Sequence, residues 1–242
     1  MGKKAIVLFS GGLDSTASLY WALNYYDELL LLSFLYGSKE DEAIKKTNEY
    51  FASRLKIESK IITLDFFKEI IKQSSSTLVS EGKNVPIFEE FKDLNNLSVT
   101  EQTAKSVWVP ARNLLFISIA SAIADSFNQP VDIVFGANEE EGVTFLDNTP
   151  KFVNRMNEAI KYGCTNSISV KAPFAKSNKK QIIKYLTEQN AEIAFSSSCY
   201  ELKGWTEEGK PIHCGRCESC MRRKRAFLQA KVSDPTIYKE NS

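Results

Sequence analysis

Short apolar runs rich in branched residues recur at Ala5–Phe9, Leu29–Leu35, Ile61–Leu64, Val131–Phe135 and Ile168–Val170. Runs of this length, bounded by turn residues, predict strands buried on both faces. Between them, apolar positions recur at helical spacing. The spacing predicts helices over Thr16–Tyr26, Glu40–Leu55, Leu114–Phe127, Lys151–Tyr162, Lys179–Gln189 and Cys217–Ala230, the fifth capped by Ser177 or Asn178. Such alternation predicts a doubly wound α/β fold, a mainly parallel sheet with helices on both faces and ligands received beyond the carboxyl ends of the strands. The pattern fails from Ser74 to Ser106, where polar and charged residues dominate without a period. That stretch reads as an insertion, part loop and part short helix, serving either as a lid or as a solvated excursion.

A chain of 242 residues suits one large domain or one with a small appendage. The expected division is an α/β domain over 1–195 and a small cysteine-bearing helical region over 196–242. Lys and Arg total 31 against 30 Asp and Glu, so no global field draws the protein to nucleic acid or an anionic membrane. The basic start Met1-Gly2-Lys3-Lys4 leads into an apolar run too short for an export signal. The longest apolar stretch, Leu29 to Tyr36, falls far short of the roughly 20 residues of a spanning helix. A cytoplasmic location is expected. In a reducing compartment Cys164, Cys199, Cys214, Cys217 and Cys220 point to metal ligation before disulfides.

Two segments carry candidate chemistry. The first strand runs into Ser10-Gly11-Gly12-Leu13-Asp14-Ser15-Thr16, and a helix begins at once. Two glycines allow a tight turn that presents N–H groups, Ser10 and Ser15 add hydroxyls, and the helix start adds its positive dipole end, which together make an anion cradle. No lysine follows the glycines, so this is not a Walker-type phosphate loop, and the string does not match the G-x-G-x-x-G dinucleotide fingerprint either. The second segment, Cys214-Gly215-Arg216-Cys217-Glu218-Ser219-Cys220, has C-x₂-C-x₂-C spacing with Cys199 upstream. Four thiolates complete the closed shell of a structural Zn²⁺, and an iron–sulfur cluster is the other occupant that thiolates accept. His213 is a rival fourth ligand, placed behind Cys199 because its neighbour Cys214 already coordinates. Cys164 reads as a buried small hydrophobe.

The string Ser-Gly-Gly-Leu-Asp-Ser at Ser10–Ser15 resembles the signature of the PP-loop ATP pyrophosphatases, which cleave ATP between its α and β phosphates. By that resemblance Leu8 and Phe9 would offer backbone contacts to adenine. Ser10, Gly11, Gly12, Leu13, Asp14, Ser15, Thr16, Ala17 and Ser18 would form the nucleotide wall, with Asp14 near the pyrophosphate and its Mg²⁺. Val109-Pro110-Ala111-Arg112-Asn113, the loop Gly136 to Thr149 and the cysteine string through Arg223 narrow the likeness to the 7-cyano-7-deazaguanine synthase family in its archaeal form. Departures from the bacterial pattern are Ser38-Lys39-Glu40 after Tyr36-Gly37, and Thr149 where an Arg stands.

The resemblance implies a ligase that joins 7-carboxy-7-deazaguanine and ammonia at the expense of ATP, giving a nitrile precursor of modified tRNA bases. It implies Zn²⁺ on Cys199, Cys214, Cys217 and Cys220, a homodimer, and no direct nucleic-acid partner. Asp14 and Arg112 are the candidate catalytic groups. Arg112, with Asn113 beside it, would meet the substrate carboxylate or the α-phosphate. Glu139, Glu140 and Asp147 are candidates for the donor edge of the base, although consecutive carboxylates cannot all face one ligand. A tRNA-thiolating relative is the competing enzyme class, supported by eight Lys or Arg against four Glu between Cys199 and Lys231, and a deazaguanine-conjugating relative is the other alternative. Against it, no cysteine precedes Cys164. The cysteine region as a simple interaction module is the non-enzymatic alternative.

Overall fold

The computed structural model describes residues 2–80, 82–88, 90, 91, 94 and 97–239. Five strands, β1 (Lys4–Leu8), β2 (Glu28–Leu35), β3 (Glu58–Thr63), β4 (Val131–Val134) and β5 (Ile168–Lys171), form one parallel sheet in the order β3-β2-β1-β4-β5. Side chains alternate across the sheet: Ile6 and Leu8 of β1 enter one core, Ala5 and Val7 the other. Burial of both faces is why the strands read as continuous apolar runs. Edge strand β3 departs from this. Its first half, Glu58–Lys60, is exposed and polar, so the apolar signal began only at Ile61.

Helices α1 (Leu13–Leu23), α2 (Asp41–Leu55), α3 (Asp65–Ile71), α4 (Leu97–Val107), α5 (Arg112–Asp125), α6 (Glu139–Gly142), α7 (Pro150–Gly163), α8 (Lys179–Glu188) and α9 (Glu218–Ala230) complete the layers. The six expected helices are present with shifted ends. Helix α1 starts three residues earlier than its apolar period because Gly12 sits at its N-cap, which puts Asp14 in the first turn. Helix α5 starts at Arg112 after Ala111, held at φ 54°. Asn178, not Ser177, caps α8, in a reciprocal pair with Gln181. Three strands of two or three residues, β6 (Gly204–Trp205), β7 (Pro211–His213) and β8 (Ile237–Tyr238), form a second small sheet too short to show a period. Ala226, Phe227 and Ala230 of α9 join the same core as Leu19 of α1 and Ile182 of α8. Among the described residues, no single helix is long and apolar enough to cross a membrane.

The 74–106 segment is docked rather than free. Lys39 donates to the Leu78 carbonyl (2.9 Å), Thr77 to Ser106 (2.7 Å) and Phe88 to Arg216 (2.9 Å), while Leu78, Val85 and Phe88 are buried. Helix α4 is its short helix.

Strand order reverses between β1 and β4, and the loops after these two strands meet there. A Cβ on Gly136, just past β4, would stand 2.9 Å from the Ser15 amide nitrogen, so only glycine permits the approach. Gly136→Ala should therefore push the first turn of α1 aside. The expected cost is about 1–3 kcal/mol, roughly 2–12 °C of melting temperature. Thermal unfolding followed by circular dichroism checks it, and an unchanged midpoint would contradict the tight approach.

Candidate functional site

A cavity of about 240 Å³ opens at this strand reversal. Its floor is the glycine loop: Leu8, Phe9, Ser10, Gly12, Leu13, Asp14 and Ser15 line it. Gly11, Thr16, Ala17 and Ser18 do not. Gly11 shapes the turn instead, at φ 79° and with a missing Cβ that would collide with Thr47. The loop is pre-formed by its own hydroxyls. Ser15 Oγ donates to the Gly12 carbonyl (3.1 Å) and lies 3.2 Å from Ser10 Oγ, and it also accepts from the Ser10 amide (3.3 Å). First-turn N–H groups of α1 have no acceptor within the helix and so remain available to an anion. Phe9 is less free, since its N–H goes to Leu32 (2.8 Å) and its carbonyl accepts from Ser33 Oγ (2.6 Å).

Beside the loop lies an ion cluster that sequence reasoning missed. Lys179, the first residue of α8, places Nζ 3.0 Å from Asp14 Oδ2 and 2.8 Å from Glu141 Oε1. Asn138 Nδ2 donates to the same Asp14 oxygen at 3.1 Å. Burial works against the charge on Glu141, but the Lys179 ammonium outweighs it and holds the carboxyl at about 2. Burial opposes the charge on Lys179 too; Asp14 and Glu141 overcome it and keep the ammonium protonated. Lys179 had appeared only as a helix start, because nothing in its local pattern marks a partner so distant along the chain.

The candidate base-recognising carboxylates separate. Glu139 is exposed and lies off the cavity wall. Glu140 lines the cavity but is occupied: Oε1 accepts the Lys179 amide (2.9 Å) and Oε2 pairs with Arg225 (3.1 Å). Asp147 lines the far wall half-buried, with Oδ1 accepting from Asn148 (3.1 Å). Burial raises its pKa, and the Arg112 charge counters this. Arg112 and Asn113 also line that end, where Arg112 Nη1 donates to the Tyr36 hydroxyl at 3.3 Å. Glu40, in the same wall, is pushed up to about 7 by burial, with Arg112 opposing. Phe34, Tyr36, Phe116, Trp108, Phe145 and Tyr200 make this end aromatic, and the Trp108 and Phe145 rings stack 5.6 Å apart.

The cysteine knuckle forms a third wall. Cys199, Cys214, Cys217 and Cys220 are all buried, with their four Sγ atoms within 4.8 Å of one another. A tetrahedron with metal–sulfur bonds of about 2.3 Å has edges of about 3.8 Å. Cys214 and Cys220 Sγ are 3.9 Å apart, which fits one ion. A multi-iron cluster would spread its thiolates over several metals and further apart. Amides of Cys214 and Cys217 donate to Sγ of Cys199 and Cys214 at 3.3 Å each, the usual company of thiolates. His213 stays outside the group; its Nδ1 lies 3.9 Å from Cys220 Sγ, and burial followed by the Arg223 charge lowers its pKa to about 3. Cys164 is half-buried and is not among the four clustered thiols. From the knuckle, Glu218, Ser219 and Arg222 face the cavity.

A parallel α/β sheet with a glycine-rich anion loop at its strand reversal, walled by a four-cysteine knuckle, defines a nucleotide-binding protein of the PP-loop type. The family model described as "Queuosine biosynthesis protein QueC" matches residues 4–231, and the chain belongs to that family. The 7-cyano-7-deazaguanine synthase of Pyrococcus horikoshii is 49% identical over 236 residues, covering 98% of this chain and 97% of the relative. That of Pyrococcus abyssi is 48% identical over 236 residues, with the same coverage. The synthase of Methanosphaera stadtmanae is 40% identical over 240 residues, covering 99% and 100%.

Two outcomes follow from this geometry. Cys217→Ser should lower bound metal from one ion per chain and lower the melting temperature, because metal binding is linked to folding; elemental analysis beside thermal unfolding tests it, and full metal content in the variant would refute a four-thiolate site. Burial penalises the charged form of Glu40, and this charging penalty grows as pH rises from its ordinary value of 4.5 through about 7. Glu40→Gln should therefore gain more stability relative to the parent at pH 8 than at pH 5. Equal differences at the two pH values in denaturant titrations would refute the buried carboxylate.

Proposed function

We propose that the protein makes 7-cyano-7-deazaguanine from 7-carboxy-7-deazaguanine, ammonia and ATP. The observation that carries this is the shared cavity: an anion cradle at one end and an aromatic, arginine-bearing pocket at the other, in a chain whose relatives are named for that product along nearly their full length.

A carboxylate resists ammonia because its leaving group would be oxide. Attack of a carboxylate oxygen on the α-phosphorus, with the α–β bridge breaking and pyrophosphate departing, converts that oxide into AMP. Ammonia then displaces AMP and leaves an amide. A second adenylation, now of the amide oxygen, allows AMP to leave with loss of the nitrogen-bound protons, which gives the nitrile. The protein needs no covalent nucleophile for this, only positioning and charge stabilisation. Ser10, Ser15 and the α1 amides suit the phosphates, and Asp14 suits the Mg²⁺ that accompanies them. Arg112 suits the substrate carboxylate, with Asn113 beside it. Trp108 and Phe145 offer flat faces to a planar base. Asp147 is assigned to the donor edge of the base because Glu140 is already engaged.

Zn²⁺ is assigned to the four thiolates on the single-ion spacing and the all-sulfur ligand set. The role is structural, since four protein ligands leave no open position. A reducing cytoplasm suits four such thiols, and a homodimer rests on the family resemblance, together with the exposed Val143 and Leu146 near the cavity mouth.

Incubation with the carboxylated base, MgATP and ammonium should give the nitrile with AMP and pyrophosphate, read by mass spectrometry and nucleotide chromatography. ADP without AMP, or adenylation of tRNA with the free base ignored, would overturn the reading. Asp147→Asn leaves a donor pair of the base unmatched, worth about 1–3 kcal/mol, and should raise KM for the base while sparing ATP. An unchanged specificity constant would remove Asp147 from that role.

A further inference from the structure

We infer that Glu40 is the base that takes protons from the substrate nitrogen in both halves of the reaction, amide formation and dehydration to the nitrile. The inference rests on the proposed function and deepens it, because positioning and charge stabilisation leave those protons without a destination.

In the first half, ammonia bonds to the acyl carbon, one N–H proton passes to the Glu40 carboxylate, and the carbon–oxygen bond to AMP breaks with its electron pair leaving on the phosphate oxygen. In the second half the amide oxygen carries the AMP. One proton is lost from the cationic adenylate, and the other is lost as AMP departs and the carbon–nitrogen triple bond forms. Glu40 passes each proton to water before taking the next. The same nitrogen is deprotonated throughout, so one base at one position serves both halves.

Among the described residues, six carboxylates line the cavity, and five are engaged. Asp14 and Glu141 hold Lys179, Glu140 holds the Lys179 amide and Arg225, and Glu218 holds Arg222. Asp147 accepts from Asn148 and is assigned to the donor edge of the base. The Glu40 carboxylate has neither a hydrogen bond nor a salt bridge to a described residue. Its neighbour Asp41 is the opposite case, with both oxygens spent on the turn: it accepts from the amides of Tyr36 (3.0 Å), Gly37 (2.7 Å) and Ser38 (3.1 Å) and from Ser38 Oγ (2.6 Å). That turn fixes the Glu40 backbone, whose amide donates to Ser38 Oγ (3.3 Å) and whose carbonyl accepts from Ile44 (2.8 Å). A held backbone with a free carboxylate on the cavity wall is the mounting a proton acceptor needs.

Arg112 of α5, Glu141 of α6, Tyr36 just past β2 and Tyr200 beside Cys199 all face Glu40, with Asp41 next to it in the chain. Since Arg112 is the group proposed for the substrate carboxylate, Glu40 stands at the carbon where nitrogen arrives. While the substrate is a carboxylate, like charge keeps Glu40 protonated; adenylation removes that charge and lets Glu40 ionise. Burial, opposed by Arg112, brings its pKa to about 7, which suits a base at neutral pH. The fold gains nothing from a carboxylate that burial penalises and no partner repays, so its retention points to chemistry.

The test supplies the carboxamide of the base with MgATP, which isolates the second half and keeps the titration of ammonium out of the pH profile. Single-turnover nitrile formation by the parent should rise with pH through a limb at about 7. Glu40→Gln keeps the side chain's shape and relieves a buried charge, so it folds at least as well as the parent. It should slow nitrile formation by about 10²–10⁴-fold and erase the limb. ATP–pyrophosphate exchange driven by the carboxylated base without ammonium should persist in the variant, since adenylation needs no base at nitrogen. A loss of nitrile formation below about tenfold, or a limb that survives in the variant, overturns the inference. Exchange falling as far as nitrile formation overturns it too, because Glu40 would then be a binding group. If the parent itself shows no exchange with the carboxylated base, the proposed function fails and takes this role with it; if the parent makes the nitrile and Glu40→Gln makes it as fast, only the role of Glu40 fails.

Discussion

Lys179 is almost wholly withdrawn from water between Asp14 and Glu141, and a charge so placed has to be held from every side. Removing one partner from such a group leaves an uncompensated buried charge, a change that typically costs about 3–5 kcal/mol. Three segments far apart in sequence are tied by that requirement: the first turn after β1, the turn after β4 and the start of α8. Each is in turn seated by a contact that tolerates no alternative. Gly136 lets the β4 turn touch the α1 backbone, Asn138 caps α6 while bonding Asp14, and Glu140 accepts the Lys179 amide in the first turn of α8.

The cysteine knuckle acts on the same cavity from the opposite side. Its backbone pairs with the inserted segment, Phe88 donating to Arg216 and Glu218 to Pro86 (3.2 Å), so the insertion is roofed onto a cross-linked unit. Its helix is anchored by Arg223, fully buried, whose guanidinium spends its hydrogens on Thr236, Ser196, Ser198 and the Ile193 carbonyl. Ser197 then donates to the Gly11 carbonyl at 2.7 Å, joining the knuckle strap to the glycine loop itself. The four-cysteine knuckle thus shapes the cavity, because Glu218, Ser219 and Arg222 reach it from there.

The two ends of the cavity divide the electrostatic work. At the loop end, dipoles and one lysine face the region suited to phosphates; at the aromatic end, Arg112 lies among Tyr36, Glu40 and Asp147. A carboxylate substrate placed between them would present its oxygen toward the phosphates with its ring held flat, the arrangement that adenylation needs.

The sheet, the six main helices, the glycine turn after β1 and the clustering of four cysteines were legible along the chain, since each rests on local rules: buried strands read as apolar runs, helices as a period, and short cysteine spacing as a shared centre. Edge strand β3 was half missed because its outer residues are polar, and β6, β7 and β8 escaped because two or three residues carry no period. Which acidic residue of Glu139–Glu141 turns to solvent, which caps a helix and which binds Lys179 could not be read, as the three are chemically alike in sequence. Folding alone separates them, by placing α8 against that turn. Sequence by itself therefore determined the elements and the groups of chemical interest. The tertiary structure decided their partners, because the pairing of buried charge depends on distances between segments that no local pattern encodes.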